Sequence, residues 1–292
     1  MMDRLNSLGD MPVVVLPVVF FLLLLAIEQV FPLRTRTRSR PGRWGVNLVL
    51  TALVFAAAGW LLRPVVSSLT GAVLKNECGL MCRLGFPPAP AAVVGFLLMD
   101  LTFYWWHRAN HAIPFLWRLH NVHHIDPDVD VTTSFRFHFV EIILSIGFRV
   151  VQVLVLGITP TVYATYELFF TLGTMFHHSN LRLPLWLERP LNFILVTPRM
   201  HGIHHSAWRD ETNSNYSVLF RLWDTLHRTL RLDVPQADVE CGVPGYSGRR
   251  DNSLFTLLTM PFRGQREYWQ KDGSARESRK IQGAGGGNRM AR

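Results

Sequence analysis

His107-x3-His111, His120-x2-His123-His124, His138, His177-His178 and His201-x2-His204-His205 decide how this chain is read. They hold eleven of its 12 histidines. Apart from the His177-His178 pair, the multiple groups use spacings of i to i+3 or i+4, which place side chains on one face of a helix. Such faces turned toward one another make a cage of imidazoles. Neutral imidazole binds iron, zinc, copper and nickel. Counting His178, the grouped histidines number nine, more than the three or four that a single zinc site uses. The pattern therefore points to two metal ions. His138 either caps the helix that follows it or joins the ligands. His177 reads as the neighbour of His178, and the lone His227 as a structural residue.

The residues around these groups are apolar. Of 292 residues, 49% are hydrophobic and 17% charged, and the mean hydropathy is positive. A soluble domain usually carries about 25% charged residues, so the composition leans toward membrane. The net charge is +9 and the pI is near 10.1. Nucleic-acid binding would require that charge on one face with motif support; here it sits in loops beside apolar runs. Three cysteines (Cys78, Cys82, Cys241) exclude a disulfide framework and a thiolate metal site. Cys78 and Cys82 are close enough to pair if oxidised, but read as small loop residues.

Pro12 to Phe31 is long enough to cross roughly 30 Å of hydrocarbon as a helix. Its flanks, with Arg4 as the only preceding cation and no small-residue cleavage site, predict a retained helix rather than a signal peptide. Arg34, Arg36, Arg38, Arg40 and Arg43 follow, and read as a cytoplasmic positive-inside anchor. Further runs are Trp44–Val66, Ala89–Trp106, Phe139–Ile158 and the shorter Thr161–Phe176, with a loop expected over Ser67–Pro88. Ile113–His124 reads as a short amphipathic helix and Leu185–Val196 as an interfacial one. The expected fold is all-α: an integral membrane helical bundle of about four to five membrane helices under a cytoplasmic, histidine-lined di-metal cap. Alternation of the runs brings every histidine group to one membrane face. The expected division is 1–88 (membrane helices and basic loop), 89–232 (catalytic) and 233–292 (a polar, partly disordered tail).

Two polar features interrupt the apolar runs. Asp100, Tyr104, His107 and His111 form one stripe on the third run, which suggests Asp100 as a partner that orients a ligand. Arg149 and Glu167 lie at similar distances from Pro160 and predict a buried pair across the fourth and fifth runs.

The motifs Asp100-x3-Tyr104-x2-His107-Arg108-x2-His111, Leu116-Trp117-Arg118-x-His120-x2-His123-His124, Arg136-x-His138-x2-Glu141 and His178-Ser179-Asn180 occur in order. Thr197-Pro198-Arg199-x-His201-x2-His204-His205, Asn215-Tyr216 and Leu222-Trp223-Asp224-Thr225 complete the series. In this combination the chain resembles the fatty acid hydroxylase / sterol desaturase superfamily over roughly residues 95 to 230. It departs from the usual pattern at Phe139, at Ser217 and at Leu226-His227-Arg228. The resemblance implies a membrane di-iron oxygenase that uses O2 to hydroxylate or desaturate a lipid. His107, His111, His120, His123, His124, His178, His201, His204 and His205 would be the iron ligands, with His138 a further candidate. Asp100, Tyr104, Asn180 and Asn215 are the corresponding candidate catalytic residues.

No haem, flavin or iron–sulfur motif is present in the sequence, so electrons are expected from a separate ferredoxin, cytochrome or reductase. A basic cytoplasmic face suits an acidic carrier. Two other classes compete. A membrane zinc hydrolase would want a carboxylate base beside a small histidine site, as in His-Glu-x-x-His, which the sequence lacks. A metal transporter would place its site near the bilayer midplane, whereas these histidines gather at one face. The partners expected are a lipid, the membrane and an electron donor, with no nucleic acid.

Overall fold

The fold is given by a computed structural model, which describes residues 2–271 and 274–275, with side chains from Val15 to Trp269. The glycine-rich end of the expected tail lies outside the described residues. In chain order the principal helices are α1 (Met2–Val30), α2 (Arg40–Ala57), α3 (Arg63–Asn76), α4 (Leu80–Arg83), α5 (Pro88–Ala112), α6 (Pro114–His124), α7 (Phe139–Leu156), α8 (Pro160–His178), α9 (Leu185–Ile194) and α10 (Pro198–His204). Prolines open α5, α6, α8 and α10, where a missing N–H costs nothing.

The expected loop over Ser67–Pro88 is largely helix instead. A π-helical turn, Ala58–Leu62, joins α2 to α3, and the helix runs on to Asn76. Val66, Thr70 and Val73 explain this: at helical spacing they bury one stripe, and the Thr70 hydroxyl closes on the Val66 carbonyl at 2.9 Å. Glu77 and Gly79 then turn the chain with positive φ, and Gly79 packs backbone-to-backbone against Gly157.

Among the described residues, three segments are long and apolar enough to cross a membrane: Arg40–Arg83, Pro88–Ala112 and Phe139–Leu156. Val15–Val30 is a shorter apolar helix. Leu22, Phe55, Trp60, Val93, Val151 and Val155 face outward from these helices. An apolar exterior around an ordered interior is what lipid as solvent requires. Inside, Val66, Val73, Met99, Val153, Leu156 and Tyr166 pack α3, α5, α7 and α8 together.

The predicted charge pair forms within this bundle. Arg149 meets Glu167 at 2.8 Å, donates to Gln152 and lies over the rings of Phe103, Tyr166 and Phe170. Gln152 in turn donates to the Met99 carbonyl and Thr102. An arginine at this depth persists only with such partners.

The arginine run does more than face a membrane. Arg38 and Arg40 are exposed, but Arg34 donates to the Pro198 carbonyl and Gln236, and buried Arg43 is paired with Asp126 and Asp130. The backbone amides of Thr37 and Arg38 both bond to the Asp128 carboxylate at 2.7 Å. The segment between α1 and α2 is thereby fastened to the stretch just after α6, the helix that carries His120, His123 and His124.

Candidate metal centre

The histidines come from the C-terminal ends of four helices. His111 lies in the last turn of α5, His123 and His124 in that of α6, His177 and His178 in that of α8, and His201 and His204 in that of α10, with His205 immediately after. Each helix C-terminus carries roughly half a negative charge. Four such ends facing one volume favour a cation there before any ligand bond is counted.

The side chains sort into two groups. His107, His111, His120, His124 and His204 form one, and His123, His178, His201 and His205 the other; within each, the ligand-capable atoms lie within 4.8 Å of one another. All are buried except His111, which is partly so. The i, i+4 pairs (His107/His111, His120/His124, His201/His205) stay together, whereas i+1 and i+3 neighbours separate. Successive helical residues point about 100° apart, so His123 and His124 diverge from adjacent positions, as do His204 and His205.

In the five-histidine group three rings are oriented from behind. His107 Nδ1 lies 2.7 Å from the Tyr216 carbonyl, His204 Nδ1 2.6 Å from the Ser214 carbonyl, and His120 Nδ1 2.8 Å from Glu141 Oε1. A carbonyl accepts only, so Nδ1 carries the proton in His107 and His204. Their Nε2 lone pairs then face each other at 3.1 Å. In the four-histidine group, His178 donates from Nδ1 to the Thr174 carbonyl at 2.8 Å, and its Nε2 meets those of His123 and His201 at 3.0 Å and His205 at 3.3 Å. The facing lone pairs of His107 and His204 repel one another unless a cation stands between them, and three further ring nitrogens crowd onto the single Nε2 lone pair of His178. Nitrogens about 3 Å apart are also what ~2.1 Å metal–nitrogen bonds leave between adjacent ligands. Buried nitrogens without a hydrogen-bond partner add to the case: His111 Nδ1 and Nε2, His120 Nε2 and His124 Nε2. The donor set fits a pair of metal ions.

Electrostatics agrees. Burial, and then repulsion among neighbouring imidazoles, holds His123, His124, His201 and His205 well below the usual imidazole range; for His204 burial and His107 do the same. The rings are therefore neutral near pH 7, the form that binds metal.

Other candidates lie elsewhere. His138 is outside both groups: its Nδ1 accepts from the Val140 amide as the N-cap of α7, and its Nε2 lies 3.2 Å from the Leu258 carbonyl. His177 sits beside the second group, its Nδ1 on the Val218 carbonyl and its ring 4.1 Å from His201. His227 stacks on Tyr104. Asp100 bonds to no histidine; its Oδ2 accepts from Trp223 Nε1 at 2.7 Å and the Phe220 amide at 3.1 Å. It thus holds the segment 216–223, whose first carbonyl orients His107. Tyr104 bonds Thr229, which donates to Asp224, and Asp224 accepts from the Tyr216 and Ser217 amides. Asn215, at φ 54°, lies between the two orienting carbonyls and donates to the carbonyls of Met200 and Arg231. Asn180 exchanges hydrogen bonds with the backbone of Arg34 and donates its amide to Glu28. None of the four polar candidates bonds a histidine of either group; each holds backbone or side chains around them.

The contact that sequence reasoning missed is Glu141 on His120. Its signal was an acidic residue at the mouth of an apolar run, in the motif with His138. The Ser214, Tyr216 and Thr174 carbonyls left no signal, since backbone atoms have none.

Residues 92–229 match the family described as fatty acid hydroxylase. The chain is 27% identical over 184 residues to the ornithine lipid hydroxylase OlsE of Rhizobium tropici, covering 62% of this chain and 54% of that protein. It is 32% identical over 138 residues to the alkylglycerol monooxygenase of Homo sapiens (47% and 30%). It is 26% identical over 196 residues to the very-long-chain aldehyde decarbonylase GL1-4 of Oryza sativa subsp. indica (64% and 29%). The chain thus spans about half the length, or less, of these relatives. No solved structure gives a significant match.

Proposed function

We propose, from the premise that residues 92–229 belong to the fatty acid hydroxylase superfamily, that this membrane protein oxidises a lipid with O2. The reaction is C–H hydroxylation or desaturation at a two-iron centre, and its substrate is a sterol, a fatty acyl chain or a related lipid such as an ether lipid. The relatives named above act, by their names, on an ornithine lipid, an alkylglycerol and a very-long-chain aldehyde; an apolar chain is what those names share. The observation that carries the reading is the pair of buried, neutral histidine groups with converging nitrogens. A zinc hydrolase would set a carboxylate base beside a site of three or four ligands; a nine-nitrogen set in two groups suits oxygen chemistry on two metals.

His107, His111, His120, His124 and His204 would hold one iron, and His123, His178, His201 and His205 the other. When bound, the irons supply the activation of O2 toward an unactivated C–H bond. The chain supplies the rest. Glu141 and the Tyr216, Ser214 and Thr174 carbonyls fix which nitrogen of each ring carries the proton and which faces the ion. Asp100, Tyr104, Asn180 and Asn215 are positioning residues for these elements. The apolar helices exclude water from the centre and admit the lipid chain from the bilayer.

In this reading residues 89–232 are the catalytic unit, 1–88 supply membrane helices and the segment that fastens them to it, and of 233–292 the described residues up to Trp269 pack against it. The histidine cap lies on the cytoplasmic face with the basic residues. A separate ferredoxin, cytochrome or reductase supplies electrons. Comparative lipidomics of cells carrying the intact chain or His204→Ala tests the proposal: an oxidised lipid that needs both His204 and O2 is expected. Identical lipid profiles, with the variant folded and inserted, would contradict it.

A further inference from the structure

A carrier protein cannot enter a buried cage, so its electrons must cross the protein from a surface point. Besides Phe137, which stacks on His120 at 6.0 Å and leads on only to His123 among the described ring contacts, ring contacts leave the five-histidine group in two directions. In one, Trp117 on α6 lies 5.0 Å from His111 and 5.4 Å from His124. Trp269 stacks on Trp117 at 5.9 Å and 25°, and Tyr268 meets it edge-on at 5.9 Å. Trp269 is half-buried, so two rings bridge the metal ligands to the surface. In the other direction Tyr216 contacts His107, His111 and His204, and leads through buried Tyr104 and His227 to Trp105. That route has more rings and surfaces on α5, a segment apolar enough to lie in a membrane.

The charge around the first exit is positive. Arg118, beside Trp117 on α6, is exposed and acts electrostatically on Tyr268. Arg266 lies 4.2 Å over Tyr246, whose ring stacks on Tyr268 at 5.8 Å. From Tyr246 to Trp269 the sequence carries four arginines, Arg249, Arg250, Arg263 and Arg266, against Asp251 and Glu267. Asp251 pairs with Arg266, and the arginines still outnumber the carboxylates over this stretch.

We infer that the Trp269–Tyr268 face, rimmed by Arg118 and Arg266, docks an acidic one-electron carrier protein, and that Trp269 and Trp117 conduct its electrons to the five-histidine group. The inference rests on the two-iron reading above. Hydroxylation balances as R–H + O2 + 2 electrons + 2 protons giving R–OH + H2O, and the two electrons leave two reduced carriers oxidised. Contiguous rings shorten the gap that each electron tunnels, and the arginine rim attracts and orients the carrier.

The test uses the full iron-loaded chain in lipid nanodiscs and a reduced acidic [2Fe–2S] ferredoxin, whose oxidation is followed by stopped-flow absorbance. Trp269→Leu should slow that oxidation tenfold or more while iron content stays as in the parent chain. Arg118→Glu with Arg266→Glu should weaken ferredoxin binding and flatten its salt dependence. Dithionite, small enough to need no docking face, should reduce all the variants at the parent rate. Unchanged ferredoxin oxidation in Trp269→Leu, or slowing only in Trp105→Leu, would overturn the inference and leave the two-iron reading standing. A parent chain that binds no iron would remove both.

Discussion

The two histidine groups differ in how they are held. The five-histidine group is braced from outside by a carboxylate and two carbonyls, on His120, His107 and His204. The four-histidine group has one such brace, Thr174 on His178, and the Nδ1 atoms of its other three members, His123, His201 and His205, are buried without partners. Packing does the holding there: His123 stacks on Phe137 at 4.5 Å, and His201 lies against His177. A braced ligand loses little freedom on binding metal and is more basic toward it. The first group should therefore bind its ion more tightly, and the second should exchange first when a chelator is added.

Removing one ligand from each group is the severest way to break this contrast. His204→Ala and His178→Ala should each abolish lipid oxidation, yet each should empty one group only, as elemental analysis of the two purified variants would report. Arg43 serves both groups alike, since its partners Asp126 and Asp130 follow directly on His123 and His124. Arg43→Ala strands two buried carboxylates and should cost about 3–5 kcal/mol of stability, read as a lower unfolding midpoint in detergent. Glu141→Gln sharpens the comparison: metal affinity should fall 10–100-fold in the five-histidine group and stay unchanged in the other, by competition with a chromophoric chelator.

The mildest probe is pH. Burial keeps the folded imidazoles of His123, His124, His201, His204 and His205 below their unfolded value, near 6.5. Below that value the unfolded chain binds more protons than the folded one, so stability falls with pH. Each such ring contributes up to about 1.4 kcal/mol per pH unit. Metal-free protein should lose thermal stability progressively below pH 6.5 and be insensitive to pH from 7 to 8. Bound metal should move the loss to lower pH.

Much of this was legible in the sequence, for physical reasons. Histidines at helical spacing, apolar runs of membrane length and an Arg149–Glu167 pair each depend on local periodicity, which a sequence displays. The partition of the groups depends on how four helix ends meet, so adjacent His123 and His124 could not be assigned to different ions. The role of Asp100 was misplaced by one step because helical spacing puts it in line with His107, while its acceptor oxygen turns to Trp223, more than a hundred residues later. The inward turn of Arg34 and Arg43 was hidden likewise. An arginine run beside apolar segments reads as a membrane anchor until its long-range carboxylates are seen.

In the proposed reading two groups of histidines hold two irons. Elemental analysis of the purified 292-residue chain, expressed with iron available, measures this directly. About two iron ions per chain are expected, falling to about one in His178→Ala and in His204→Ala. A single firmly held zinc, with no iron and no loss on either substitution, would contradict it.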